Sequence, residues 1–165
     1  MKAAENPRVL DISPMISGET IAAANGHPES RVVSIAVPGE LAFRGLVSRA
    51  VATVCKLACS DHSESETFCH EVVSAVGEAF NNAVLHAYEG AHGDVSLTVS
   101  FDSNQVIVEL AESGAAFDLA AVPDLMVDDP QESGMGLFII RNFVDELTYT
   151  PGPPNRLRMA KRLPQ

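Results

Sequence analysis

Basic residues are scarce in this chain. Eleven Lys and Arg stand against 22 Asp and Glu across 165 residues, a formal charge of −11. A duplex binder needs a basic footprint to displace counterions, so no direct nucleic-acid surface is expected. The same deficit disfavours an anionic membrane surface. An anionic small molecule stays compatible, because a helix terminus or a metal ion overrides net charge locally. Cysteine is also sparse and odd in number. Cys55, Cys59 and Cys69 do not make a disulfide framework. Together with His62 and His70 they match no strong zinc spacing, and they read as buried free thiols. Long hydrophobic runs are missing as well. No apolar stretch reaches the roughly 18 residues of a membrane span, and Met1 to Ser30 lacks the apolar run of a signal peptide. A reducing cytoplasm is the expected setting.

What is present is a soluble, globular composition, with 46% hydrophobic and 20% charged residues. The length fits one domain. Residues 1–30 read as a mostly irregular extension with a short helical turn near Thr20–Ala24, and residues 31–163 as the domain. Val32, Val33, Ile35 and Val37 are β-branched and stop at Pro38-Gly39, which predicts a strand. Leu41, Leu46, Val47, Val51, Val54 and Leu57 space a helix over 40–58. Ser63 and Glu66 fit a capping box ahead of a second helix running to about Tyr88. Val95, Leu97, Val99 and Phe101 alternate, and Asp102-Ser103-Asn104 turns the chain into a hairpin partner at Val106–Leu110. Residues 111–133 read as a long loop of the kind that forms a lid or binding loop. Met135 to Leu147 is expected helical, with closing strands at 148–150 and 156–163. This order predicts an α+β two-layer sandwich: a mixed or antiparallel sheet with helices on one face.

Three clusters carry possible chemistry. On the second helix Glu78, Asn82 and His86 follow one another at intervals of four, among small and apolar neighbours. Polar groups beside a core stripe need partners. An Asn oxygen is a hard ligand suited to Mg²⁺, and a Glu one turn away can accept a proton from an attacking hydroxyl. An ordinary amphipathic helix with a hydrogen-bonded edge has the same spacing. The second cluster is Gly134-Met135-Gly136-Leu137 at the start of an apolar helix, where backbone N–H groups and the helix dipole favour an anion. A plain hinge fits it equally. The third, Glu112-Ser113-Gly114-Ala115-Ala116-Phe117-Asp118, is by itself a turn with an acid at its start.

Together and in this order the clusters resemble the GHKL ATPase and kinase superfamily, and within it the small bacterial anti-sigma factor serine/threonine-protein kinases. Glu78-x-x-x-Asn82-Ala-Val-x-His86-Ala-Tyr is similar to their N box. Glu112-x-Gly114-x-Ala116-Phe117-Asp118 resembles their adenine motif, and Gly134-x-Gly136-Leu137 their second glycine box. The resemblance implies a histidine-kinase-like ATPase fold that binds ATP with Mg²⁺. It implies Glu78 as general base and Asn82 as the metal ligand. Glu112 would accept from the adenine amino group, with Gly114 and Ala116 beside the base. Residues 119–133 would form the ATP lid. Gly134, Met135, Gly136 and Leu137 would cradle phosphate, and Arg141 would supply the nearest side-chain cation. His86 would touch the ribose or lid, or satisfy a buried backbone group. A sigma factor, an antagonist protein and a second copy of the chain would be its partners.

Two departures bear on activity. Glu112 and Ala116 stand where the pattern has Asp and Gly, and no Lys or Arg occurs from 118 through 140. The extra methylene of Glu112 must overshoot the base or fold back. Weak nucleotide binding is therefore expected beside the kinase reading, and a docking module of the same fold is the alternative. A free-standing histidine kinase is the weaker third, because 30 residues are too few for a helical dimerisation hairpin.

Overall fold

The structure is a computed structural model, and it describes residues 30–59, 64–88, 93–116 and 135–164. Five strands form one antiparallel sheet: β1 (Arg31–Pro38), β2 (Asp94–Phe101), β3 (Gln105–Glu112), β4 (Glu146–Thr150) and β5 (Asn155–Arg162). Their spatial order is β1-β2-β3-β5-β4. Three α-helices accompany them: α1 (Arg44–Ala58), α2 (Ser65–Asn82) and α3 (Met135–Phe143). A short 3₁₀ turn, Leu41–Phe43, leads into α1, and a π turn, Ala83–Ala87, continues α2.

The two-layer arrangement follows from alternation along the strands. Val95, Leu97, Val99 and Phe101 on β2 face the same side as Val106, Val108 and Leu110 on β3 and as Leu157 and Met159 on β5, and all are buried. Against them lie Val47, Val51 and Val54 of α1, Val72, Val76, Ala79 and Phe80 of α2, and Leu137 and Ile140 of α3. Each such fully buried side chain contributes about 1.5–3 kcal/mol, so this face holds the helices to the sheet. The Lys161 ammonium reinforces the contact by pairing with Glu71 of α2 at 2.8 Å. The opposite face is polar, carrying Ser34 bonded to Thr98 at 3.2 Å and the pairs Glu109–Arg156 and Glu146–Arg158. Among the described residues no helix is long and apolar enough to cross a membrane.

The expected fold class and element order hold, with four differences in detail. Strand β3 extends through Ala111 and Glu112, beyond the expected start of the long loop at 111. Helix α3 ends at Phe143 rather than Leu147. Asp145 donates its N–H to the Ala160 carbonyl at 2.9 Å and accepts from the Arg162 N–H at 2.7 Å, which swings Glu146 onto β5. Ile140, Val144 and Leu147 suit a helical stripe, while Leu147 and Tyr149 suit strand alternation; tertiary pairing decides between them. Helix α2 stops at Asn82 and passes into the π turn instead of running unbroken to Tyr88. Ser63 of the expected capping box lies outside the described residues, and Glu64 at the N-cap makes no side-chain cap bond. Residues 1–29, with the expected helical turn, also lie outside them.

Cys55, Cys59 and Cys69 are buried free thiols where α1 meets α2, and no described group of metal-ligating residues could hold an ion. Burial, then the neighbouring Cys69 sulfur, push the Cys59 thiol up to about 11. A thiol pKa raised by folding stabilises the fold fully below the unfolded value. That contribution is lost as pH rises through the folded value. The urea midpoint is therefore expected to fall between about pH 9 and about pH 11, and replacing Cys59 with Ala should flatten that decline.

Tyr88 closes the helical layer onto the sheet. Its buried hydroxyl donates to the Asp94 carbonyl at 2.6 Å and accepts from the Ser113 N–H at 3.1 Å. Gly39 and Gly93 leave the space its ring fills, since a Cβ at either would press on it. Tyr88→Phe is expected to keep the ring packing but leave these two backbone groups unpaired, lowering unfolding free energy by about 1–3 kcal/mol in urea titration.

Candidate functional site

Glu78 and Asn82 sit one turn apart on the last two turns of α2, both half-buried. Facing them is Gly136, the second residue of α3. A Cβ there would lie 3.1 Å from Glu78 Oε2, 3.4 Å from Asn82 Oδ1 and 3.6 Å from Asn82 Nδ2. The start of α3 thus lies close to the two polar groups, and a side chain at 136 would crowd the Glu78 carboxylate. No acidic residue occupies the first turn of α3, so nothing there opposes its N-terminal dipole.

The π turn changes the phase of the polar ridge. Its bonds run from i to i+5, so His86 does not continue the line of Glu78 and Asn82. His86 is exposed. The turn serves a different contact. The Ala115 N–H donates to the Ala87 carbonyl at 2.8 Å, and Gly114 approaches so closely that a Cβ would overlap that carbonyl. The glycine after β3 is therefore docked on the end of the α2 helix by backbone alone.

Glu112 closes this half of the site. It is buried, 5% exposed, at the end of β3 and opposite Asn155 of β5. Its Oε1 accepts from Asn155 Nδ2 at 2.8 Å, and its Oε2 accepts from the Gly114 N–H at 2.5 Å. The extra methylene is folded back onto its own turn. Asn155, 2% exposed, also donates to the Gly114 carbonyl at 3.0 Å and accepts from the Gly152 N–H at 3.0 Å.

Sequence reasoning did not single out Asn155. The available signal was a polar residue opening a strand directly after a Pro-rich turn, on the inward side of the alternation. Arg44 was missed too: it reaches Glu78 Oε1 from the start of α1 at 3.5 Å.

The other expected residues divide. Met135 is exposed, while Leu137 points into the core. Arg141 is half-buried and about 7.5 Å along the axis from Gly136, so it does not belong to the helix start. Ala116 is exposed at the end of its described segment. Phe117, Asp118, residues 119–133 and Gly134 lie outside the described residues.

The family model for the histidine kinase-like ATPase domain matches residues 44–161. The chain belongs to that family. It is 27% identical over 124 residues to the serine-protein kinase RsbW of Bacillus subtilis (strain 168), covering 70% of this chain and 75% of that protein. It is 28% identical over 97 residues to the anti-sigma F factor of Thermoanaerobacter sp. (strain X514), covering 55% and 68%. A solved histidine kinase domain from Erythrobacter litoralis EL346 blue-light activated histidine kinase shares 22% identity, with a TM-score of 0.48, over 77% of this chain and 62% of that one. The family is thus GHKL, and the relatives include bacterial anti-sigma factor kinases. The matched region starts at Arg44 and ends at Lys161, so both halves of the site fall within it.

The buried carboxylate generates a prediction opposite to what the motif alone implies. Restoring the pattern with Glu112→Asp withdraws the carboxylate from Asn155 and leaves a buried amide N–H unpaired. The expected result is a loss of about 1–3 kcal/mol of stability, read by urea unfolding.

Proposed function

We propose that the chain binds Mg·ATP between α2, the Gly114 turn and the start of α3, and transfers the γ-phosphoryl group to a serine or threonine hydroxyl of a small antagonist protein. Such a protein switches between that antagonist and a sigma factor. The names of the relatives, a serine-protein kinase and an anti-sigma factor, support the reading. The observation that carries it is the packing of Gly136 against Glu78 Oε2 and Asn82 Oδ1. A carboxylate and a neutral oxygen donor lie beside a helix N-terminus, a combination that suits a divalent ion and phosphate oxygens.

Asn82 Oδ1 would hold the Mg²⁺, with phosphate and water supplying its other ligands. When bound, the ion neutralises charge developing on the phosphate oxygens. Glu78 takes the proton of the attacking hydroxyl. The N–H groups at the start of α3 hold the phosphates, and the Gly114 turn lies beside the base. Catalysis here is mainly positioning and charge stabilisation.

One observation favours a second reading, a docking module that binds nucleotide weakly. Both oxygens of Glu112, the expected adenine reader, already accept bonds from within the fold.

Calorimetry with Mg·ATP and transfer of γ-labelled phosphate to cell proteins separate the readings. Asn82→Ala is expected to lose Mg²⁺-dependent ATP binding while staying folded. Glu78→Gln should bind ATP within a few-fold of the parent but transfer label at least about a hundredfold more slowly, since an amide takes no proton. A parent chain that binds no ATP leaves the docking reading standing.

A further inference from the structure

The two oxygens of the Glu78 carboxylate are not equivalent. Oε1 is engaged twice, by Arg44 Nη2 and by Asn81 Nδ2, each at 3.5 Å. Oε2 is the oxygen nearest Gly136 and the start of α3. The guanidinium comes from another helix and reaches Glu78 across Gly77. A Cβ at position 77 would lie 3.0 Å from Arg44 Nη2, so the absence of a side chain there gives the guanidinium its path. Arg44 is 46% exposed and Glu78 26%, so the pair is worth little as a stabilising salt bridge. Its geometry is what matters. A glutamate has three side-chain torsions, and a carboxylate tethered at one oxygen keeps the other aimed in a fixed direction.

We propose that Arg44 is a positioning residue for the Glu78 carboxylate. It holds Oε1, with help from Asn81, so that Oε2 is the oxygen presented to the acceptor hydroxyl. The inference rests on the kinase reading above and deepens it. In the step concerned, the hydroxyl oxygen forms a bond to the γ-phosphorus while the bond from that phosphorus to the β–γ bridging oxygen breaks. The hydroxyl proton passes to Glu78 Oε2, and the electron pair of the broken bond leaves on ADP. Arg44 touches neither substrate nor phosphate in this scheme. Its effect therefore belongs in the rate of the chemical step and not in nucleotide affinity.

The test uses the full chain, with water as acceptor, in single-turnover hydrolysis of γ-labelled Mg·ATP. Nucleotide affinity is measured in parallel by calorimetry. Arg44→Met keeps the length of the stem and removes the charge. It is expected to slow the chemical step by about 10–100-fold, the cost of misplacing a reacting group by about 1 Å, with the dissociation constant changed less than about threefold. Arg44→Lys keeps a single cationic donor, which is all the one-point contact uses, and should recover most of the rate. In a Glu78→Gln background Arg44→Met should have no further effect, since no base remains to position. If Met and Lys behave alike, or if both match the parent, Arg44 does not position the carboxylate. If they weaken nucleotide binding and leave the step unchanged, it acts on the ligand instead and the inference is wrong. A parent chain that transfers no label from ATP either to water or to cell proteins overturns the kinase reading itself, and the positioning role with it.

Discussion

The site depends on one backbone contact, the approach of Gly114 to the carbonyl of Ala87. The hydrogen bond from Ala115 fixes it at 2.8 Å, and the lack of a Cβ at Gly114 permits it. An α-helix engages its carbonyls internally except in the last turn. Ala87 ends the π turn, and its carbonyl meets the turn that follows β3. Tyr88, the next residue, secures the same junction through Asp94 and Ser113. A helix end and a strand end, well separated in sequence, are thereby locked together, and the polar groups of α2 gain a fixed relation to the turn after β3.

Charge is distributed consistently with an anionic ligand despite the net excess of acid. Two arginines of β5 are occupied on the outer face of the sheet, Arg156 with Glu109 and Arg158 with Glu146. Lys161 is tied to Glu71. Arg44 is likewise paired, with Glu78. Exposed pairs of this kind add little stability. Their consequence is an outer face with mixed charge, while the start of α3 carries no acid in its first turn.

Much of this was legible in the sequence, for identifiable reasons. Strand alternation at 95–101 and 106–110 exposed the sheet, because a two-residue period against a buried face has few other readings. The spacing of Glu78 and Asn82 and the glycine at 136 are local patterns, and the structure brings these three residues together; Gly134 lies outside the described residues. What escaped was set by tertiary pairing. The exit of α3 depends on Asp145 meeting β5, and the π turn depends on the glycine turn docking at Ala87. The partnership of Glu112 with Asn155 spans 43 residues and exists only through the β3–β5 register. A single sequence carries no local sign of such a contact.

That register also explains why position 112 departs from its pattern without disturbing the fold. A buried carboxylate needs partners for its charge, and Asn155 together with the Gly114 N–H supplies two. An ionised carboxylate has about four acceptor positions, and two of them are used within the fold. Glu112, Gly114 and Asn155 form one cluster at the end of the sheet. Glu78, Asn82 and Gly136 form another between the helices. The Ala87–Gly114 contact, the Tyr88 hydroxyl and the core shared by α2 and β3 join them. The two clusters are therefore coupled through the helix–sheet junction, and a substitution at that junction reaches both.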